Sequence, residues 1–96
     1  MSEVILGSRV TPAAQVQFRS EGDDGALLYD PETDRVVILN PTAAAVWTLL
    51  DGSRTVAEVV ATLAAEYEGM GPDAEAQVLR TVQGFVDRGA AHLPPT

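Results

Sequence analysis

The stretch that decides the fold is residues 35–52, which read RVVILNPTAAAVWTLLDG. Its first five residues include three consecutive β-branched side chains, which favour a strand over residues 35–39. Asn40 is a favoured residue at the N-cap of a helix, and Pro41 suits the first helical position because the N–H that proline lacks has no partner there. The sequence therefore predicts a strand that passes directly into a helix, which ends at about Leu50 before an Asp-Gly pair.

Two further strands are expected before this stretch. Apolar and polar residues alternate over residues 15–19, and residues 26–29 read ALLY. Residues 20–25 are acidic and contain glycine, so we expect a loop there. Residues 30–34, DPETD, have turn-forming side chains and lie directly before the strand 35–39. This arrangement predicts an antiparallel hairpin with a five-residue connection.

Two further helices are expected after this stretch. Thr55 followed three residues later by Glu58 is a capping box, and an apolar stripe at helical spacing continues from it to Tyr67. Asp73 is expected to cap the last helix and Gly89 to end it. The apolar positions of this last helix are Val78, Leu79, Val82, Phe85 and Val86. The order of elements predicts an α+β domain, with a three-stranded antiparallel sheet followed by three helices and with Trp47 and Phe85 in its core.

The composition indicates a single acidic domain. The chain has 96 residues, 46% of them apolar, and a formal net charge of −8 from six arginines, no lysine and fourteen carboxylates. Affinity for nucleic acid comes largely from cations that neutralise phosphates, so this charge disfavours nucleic-acid partners and, for the same reason, anionic membrane surfaces. No apolar run approaches the ~20 residues of a membrane span, and the basic and apolar parts of a secretory signal are missing from the start. We therefore expect a cytoplasmic protein.

The residues that carry chemistry are few. The absence of cysteine excludes disulfides and thiolate catalysis. His92 is the sole histidine and has no evident partner in its proline-rich surroundings. The acidic run 30–34 resembles the start of a calcium loop, but Arg35 and Pro41 occupy the positions that require glycine and glutamate. We therefore expect a binding module rather than an enzyme, with no metal and no cofactor.

Residues 37–52, VILNPTAAAVWTLLDG, resemble the PqqD family. The later part of the chain is also similar to that family in its TVAEVV run at residues 55–60 and in Leu63, Tyr67, Asp73, Phe85 and Gly89. The resemblance covers residues 14–91, which we predict to be the recognition domain. Residues 1–13 are then expected to form a flexible N-terminal arm, and residues 92–96 a C-terminal tail.

The resemblance implies a fold and a mode of binding. PqqD-like proteins have a winged-helix-turn-helix-like fold and recognise precursors of ribosomally made, post-translationally modified peptides (RiPPs). They bind the leader segment of the precursor and present it to a modifying enzyme, such as a radical-SAM enzyme or a leader peptidase. In the family, the leader adds as a strand to the third strand of the sheet, in a groove beside the third helix. These properties are expectations for this chain.

The strand 35–39 and the last helix supply the predicted peptide contacts. Side chains alternate along a strand, so Val37 and Leu39 are expected to face the core, and Val36 and Ile38 to face away from it. A strand at a sheet edge presents unpaired N–H and C=O groups that can template an added strand. The predicted contact residues are Arg35, Val36, Val37, Ile38, Leu39, Val78, Leu79, Val82, Gln83 and Val86.

Two other functions remain open at this point. Three strands and three helices also suit a winged-helix transcription regulator, although the last helix carries acidic residues beside Arg80 and Arg88. An exposed strand 35–39 would also suit an oligomerisation module that pairs with a second copy of itself. The sequence predicts a monomer or a weak homodimer, and it does not choose a RiPP class or an enzyme partner.

Overall fold

In the computed structural model, which describes residues 3–66 and 73–94, a small antiparallel sheet packs on three helices. In chain order, the elements are β1 (Thr11–Pro12), β2 (Gln17–Ser20), β3 (Ala26–Asp30), β4 (Arg35–Leu39), α1 (Pro41–Leu49), α2 (Val56–Glu66), α3 (Ala74–Asp87) and β5 (Ala91–His92). The predicted α+β architecture is therefore confirmed. The prediction that the apolar stripe continues to Tyr67 lies outside the described residues.

The main sheet has the strand order β2-β3-β4, with antiparallel pairing throughout. Asp30 pairs with Arg35, so β3 is one residue longer than expected and the connection to β4 is four residues rather than five. Asp34 has a φ of +57° in this turn, a conformation that aspartate tolerates better than most residues. Its Oδ1 accepts a hydrogen bond from the Tyr29 hydroxyl at 2.9 Å, which holds the turn against β3.

Strand β4 alternates as the sequence predicts. Leu39 is buried and Val37 is half-buried, and they lie opposite Ala26 and Leu28 of β3 on the face that covers the helices. The other face carries Val36 and Ile38, whose side chains are 57% and 80% exposed. Large aliphatic side chains with this exposure do not contribute to the core, and together they form an apolar strip on the outer face of β4.

Helix α1 begins as the sequence predicts and carries the centre of the core. The Asn40 side chain accepts a hydrogen bond from the Ala43 N–H at 2.8 Å, and Pro41 occupies the first turn. Val46 and Trp47 are buried, and the Trp47 ring meets the Phe85 ring edge-on at a centroid distance of 5.1 Å. Edge-to-face aromatic pairs of this kind are favourable, and this one joins α1 to α3.

The sequence predicts a side-chain cap at the start of both α2 and α3, and the structure shows it only for α2. The expected capping box is confirmed: Glu58 N–H donates to Thr55 Oγ1 at 3.2 Å, and Thr55 N–H donates to Glu58 Oε1 at 3.0 Å. The Thr55 N–H and the Thr55 hydroxyl, which donates to Glu58 Oε1 at 3.1 Å, lower the pKa of the Glu58 carboxyl, since both hydrogen bonds favour its ionised form. Asp73 occupies the N-cap position of α3, as predicted, but its side chain makes no capping hydrogen bond. Gly89 follows α3 with a φ of +76°, as expected of the residue that ends a helix.

The N-terminal segment, residues 3–13, is packed on the domain and is not the flexible arm that the sequence predicted. Val10 is completely buried. The carbonyl oxygens of Ser8 and Leu6 accept hydrogen bonds from the N–H groups of Val56 and Ala57, both at 2.9 Å. The first N–H groups of a helix have no partners within the helix, so this segment satisfies donors that α2 would otherwise leave unpaired.

The C-terminal end of the described chain is also packed on the domain, through a strand pairing with β1. Strands β1 and β5 form a second, two-stranded sheet, in which Thr11 pairs with His92 and Pro12 with Ala91. Ala90 and Ala91 are buried, and the Ala13 N–H donates to the Ala90 carbonyl at 2.8 Å. His92 is exposed but belongs to β5, so the predicted tail starts later than residue 92. Among the described helices, none has the length and apolar character needed to cross a bilayer.

The loop between α1 and α2 contains a carboxylate, Asp51, whose hydrogen bonds make the stability of the protein depend on pH. Asp51 Oδ1 accepts hydrogen bonds from the Ser53 N–H, the Arg54 N–H and the Ser53 hydroxyl, at 2.9, 3.0 and 2.9 Å. These bonds lower the pKa of Asp51 from 3.8 to about 2, with a smaller contribution from the Arg54 charge. Because the folded-state pKa is depressed, the stabilisation is complete above the ordinary pKa and is lost as the pH falls through the folded value.

We therefore expect the thermal midpoint of the protein to exceed that of an Asp51→Asn variant at pH 5, and the difference to shrink between about pH 4 and pH 2. Glu58 titrates in the same direction in both proteins and cancels in the comparison. Circular dichroism melts at half-unit pH steps measure the difference. A gap that stays constant down to pH 2 would show that Asp51 does not carry this response.

Candidate functional site

One edge of the main sheet is formed by β4, which pairs with β3 and with no other strand in the described part of the chain. In an antiparallel pair, alternate residues direct their N–H and C=O groups to the partner strand and away from it. The side of β4 opposite β3 therefore presents a row of unused backbone groups. Proteins often protect such an edge with proline or lysine, and β4 contains neither. This edge is geometrically open to an added strand.

A groove of about 230 Å³ lies beside this edge, between the core-facing side of the β3–β4 hairpin and the chain that leaves α3. Val37 and Leu28 contribute its apolar part, and the charged residues Arg35, Asp30 and Arg88 contribute its polar part. The complete lining is Val16, Leu28, Asp30, Thr33, Arg35, Val36, Val37, Arg88 and Ala90. An extended segment paired with β4 would direct every second side chain toward this groove.

Three of the five predicted contacts on β4 lie at the groove. Arg35, Val36 and Val37 line it. Ile38 is the most exposed large apolar side chain of the strand and lies on the outer face of the sheet. Leu39 is 3% exposed and packs in the core, so its side chain has almost no surface to offer a ligand.

The predicted contacts on α3 lie elsewhere. Val78 and Val82 are completely buried in the core, and Leu79 and Val86 are half-buried against it. The Gln83 side chain accepts a hydrogen bond from the Val4 N–H at 2.8 Å and donates one to Asp87 at 2.9 Å. The flank of α3 that carries Gln83 therefore contacts the N-terminal segment. None of these five side chains lines the groove beside β4.

Arg88 is the groove residue of α3 that sequence reasoning missed. It is the C-cap residue, one position beyond the last residue of the helix, and it lies outside the apolar stripe that the periodicity identifies. Gly84, four residues earlier, gives a signal: a Cβ at this position would lie 2.8 Å from Arg88 Nη1. A glycine inside a helix, one turn before an arginine, is consistent with a side chain that folds back along the helix.

A second groove lies on the opposite edge of the sheet, between β2 and α1. It has a volume of about 410 Å³ and contains Phe18, which is 38% exposed, above the small residues Ala44 and Ala45 of α1. Asp23 and Glu66 add negative charge to it. This groove is larger than the one beside β4, and β2, which among the described strands pairs only with β3, is the other edge strand of the sheet. Unlike β4, β2 does not carry two large aliphatic side chains on the outer face of the sheet.

An open edge strand beside a groove is the arrangement found in domains that bind extended peptides by strand addition. The class that the fold and the site define is therefore a small α+β recognition domain. The family model described as coenzyme PQQ synthesis protein D (PqqD) matches residues 25–90, and the chain belongs to this family. The resemblance stated from the sequence is thereby confirmed.

Solved structures show the same fold. Lasso peptide synthetase B1 complexed with the leader peptide is 26% identical, with a TM-score of 0.71 over 88% of this chain and 98% of that one. The PqqD truncation of Methylobacterium extorquens PqqCD, described as a functional and stand-alone RiPP recognition element, is 26% identical, with a TM-score of 0.69 over 86% and 87% of the two chains. TbiB1 in complex with the TbiA(beta) leader peptide, at 20% identity, supports the fold alone, with a TM-score of 0.70 over 90% and 96%. No curated protein matches the sequence significantly.

Proposed function

We propose that this protein is a non-catalytic adaptor that binds the leader segment of a ribosomally made precursor peptide and presents it to a modifying enzyme. The observation that carries the proposal is the unpaired edge of β4, flanked by the exposed side chains of Val36 and Ile38. Support also comes from the family and from two structures at 26% identity, one of a complex with a leader peptide and one described as a RiPP recognition element.

The leader binds as a fourth strand next to β4. Its backbone hydrogen bonds supply affinity for any extended peptide, and its side chains supply selectivity because they alternate between the two faces of the sheet. On the outer face, apolar leader side chains pair with Val36 and Ile38, and cross-strand pairs of this kind contribute roughly 0.2–1 kcal/mol each. On the inner face, leader side chains enter the groove beside Val37.

The adaptor contributes proximity to the reaction and no chemistry of its own. A leader held by one module raises the effective concentration of the attached core peptide at an enzyme that is bound to the same module. The enzyme partner is of the kind that modifies or cleaves such precursors, for example a radical-SAM enzyme or a leader peptidase. The adaptor needs no cofactor, and it works in the cytoplasm, where precursor peptides are made.

A titration tests this function directly. The fluorescently labelled leader segment of the short precursor gene nearest to this chain's gene is titrated with the protein, and fluorescence anisotropy is recorded. We expect saturable binding at about 1 μM or tighter, which corresponds to about −8 kcal/mol. The control is a peptide of the same composition in scrambled order. Equal binding of both peptides, or no binding of several candidate leaders to a folded protein, would contradict the proposal.

Self-pairing through β4 is a second function that the exposed edge favours. Two copies that join their β4 edges would bury the outer side chains Val36 and Ile38 next to one another. Sedimentation velocity over a concentration series measures this association. Because both processes use the same edge, a saturating leader peptide is expected to convert any dimer to monomer. A dimer that survives saturation would place the self-association elsewhere.

A further inference from the structure

The groove beside β4 contains two arginines whose side chains have no partner among the described residues. Arg35 and Arg88 both line it, and neither guanidinium group makes a hydrogen bond or an ion pair with any residue that the structure describes. By contrast, Arg54 pairs with Asp51 at 3.2 Å, Arg19 lies 3.7 Å from Glu21, and Arg9 donates to the Ser53 carbonyl. Among the described residues, the Arg80 side chain also has no partner, but it is exposed on α3 and does not line the groove.

The single carboxylate in the groove does not neutralise them. Asp30 lies opposite Arg35 in the strand pairing, but no ion pair forms between them. Asp30 Oδ1 instead accepts a hydrogen bond from the Glu32 N–H at 2.9 Å, within the hairpin turn. Two guanidinium groups and one carboxylate leave one positive charge in excess in this groove, although the whole chain has a net charge of −8.

The Arg88 guanidinium lies where a side chain at position 84 would be, and residue 84 is a glycine. The Arg88 guanidinium lies over Gly84, where a Cβ would be 2.8 Å from Nη1. Glycine inside a helix is less stabilising than alanine. The space that this residue leaves is occupied by the cation that lines the groove.

We infer that Arg35 and Arg88 form a carboxylate-binding end of the groove, which selects peptides with an aspartate or glutamate at one position of the added strand. This inference rests on the proposed function, since the peptide has to be paired with β4. A carboxylate matches the planar guanidinium geometry and forms charge-assisted hydrogen bonds with it, which are stronger than neutral ones.

The strand geometry also gives the spacing. Side chains two residues apart share a face of a strand, and Arg35 and Val37 lie on the same face of β4. A peptide paired with β4 therefore places one side chain beside Arg35 and the next one on that face beside Val37. The selected pattern is an acidic residue and an apolar residue separated by one position.

The net charge of the chain, −8, limits the number of acidic residues that a bound peptide can carry. A field of this sign disfavours strongly acidic peptides as a whole, so a carboxylate is favourable only where it meets the two arginines. The peptides selected are consequently neutral or basic outside that position. A general preference for acidic peptides is not expected.

A displayed library of random 12-residue peptides tests the inference with the intact protein. We expect enriched peptides to share one acidic position spaced by one residue from an apolar position, and the acidic preference to disappear with the Arg35→Gln/Arg88→Gln double variant. An individual enriched peptide should bind this variant roughly tenfold more weakly. Its asparagine or glutamine analogue should bind both proteins equally. Arg80→Gln is the matched control, because Arg80 is exposed on α3 and does not line the groove.

Gly84→Ala provides a variant that keeps every charge and favours the helix. We expect unchanged or higher thermal stability together with severalfold weaker binding of the acidic peptide, because the methyl group displaces the Arg88 guanidinium. Enriched peptides that compete for β4 but show no acidic preference would overturn the carboxylate inference and leave the adaptor function intact. A library in which no peptide is enriched would overturn both.

Discussion

Replacing Ile38 with proline is expected to abolish leader binding while the domain stays folded. The side chain of Ile38 is 80% exposed, so its loss removes little from the core. Proline has no N–H to donate to an added strand, and its ring obstructs the approach of a neighbouring backbone. Affinity at this edge comes mainly from backbone hydrogen bonds, so the expected loss is a hundredfold or more, to beyond about 100 μM.

Two further variants separate the possible causes of this loss. Ile38→Thr keeps the N–H and the β-branched shape, and it should lose only the contact of the exposed side chain. Val37→Pro is the matched proline control, because neighbouring residues direct their N–H groups to opposite sides of the strand. It should remove a hydrogen bond to β3 and destabilise the domain. Circular dichroism establishes folding, and anisotropy measures affinity.

The folding and the affinity of the two proline variants together show which N–H group points away from β3. A folded Ile38→Pro variant with unchanged affinity would exclude strand addition at β4. If Ile38→Pro unfolds and Val37→Pro folds, the outward N–H belongs to Val37, and the Val37→Pro variant should then be the one that loses binding.

Truncation of Phe85 to alanine is expected to destabilise the domain by about 3–5 kcal/mol. Phe85 is 2% exposed and meets the Trp47 ring at 5.1 Å, so the variant loses both a buried ring and an aromatic pair between α1 and α3. Total stabilities of domains are only about 5–15 kcal/mol, so the variant should be close to unfolding at 37 °C. Urea unfolding followed by the fluorescence of Trp47, the single tryptophan, measures the loss.

Phe18, the other phenylalanine of the chain, is the matched control for this prediction. It is 38% exposed, so truncation to alanine leaves no closed cavity and should cost far less than truncation of Phe85. Equal losses for the two variants would contradict the assignment of Phe85 to the centre of the core. Phe18→Ala should also leave peptide binding unchanged, since Phe18 lies in the groove at the far side of the sheet from β4.

The parts of the fold that could be predicted are those that neighbouring residues specify. The Asn40 cap, the Thr55–Glu58 box and the alternation of β4 depend on groups within a few residues of each other. The N-terminal segment could not be predicted in this way. Its hydrogen bonds reach Val56, Ala57 and Gln83, which are distant in sequence, and its apolar residues are too few to show a period.

In the candidate site, too, local sequence patterns predict some of the residues, and the others depend on how the elements pack. Periodicity identified the strand and its outer side chains, and it identified the apolar face of α3. It could not show which flank of α3 faces β4, since that depends on how the helix is rotated in the packed domain. The stripe therefore predicts Val78 and Val82 as contacts although both are fully buried, and it does not include Arg88, which lines the groove.

The pairing of β1 with β5 joins Thr11 to His92, two residues from opposite ends of the described chain. Closing a loop of this size is entropically unfavourable until the intervening elements have folded, so we expect this small sheet to form late in folding. Ala90, which lies directly before β5, lines the groove beside β4, and its carbonyl accepts a hydrogen bond from the Ala13 N–H. One wall of the groove therefore depends on the joining of the two chain ends, and we expect a bound peptide to favour the state in which they are joined.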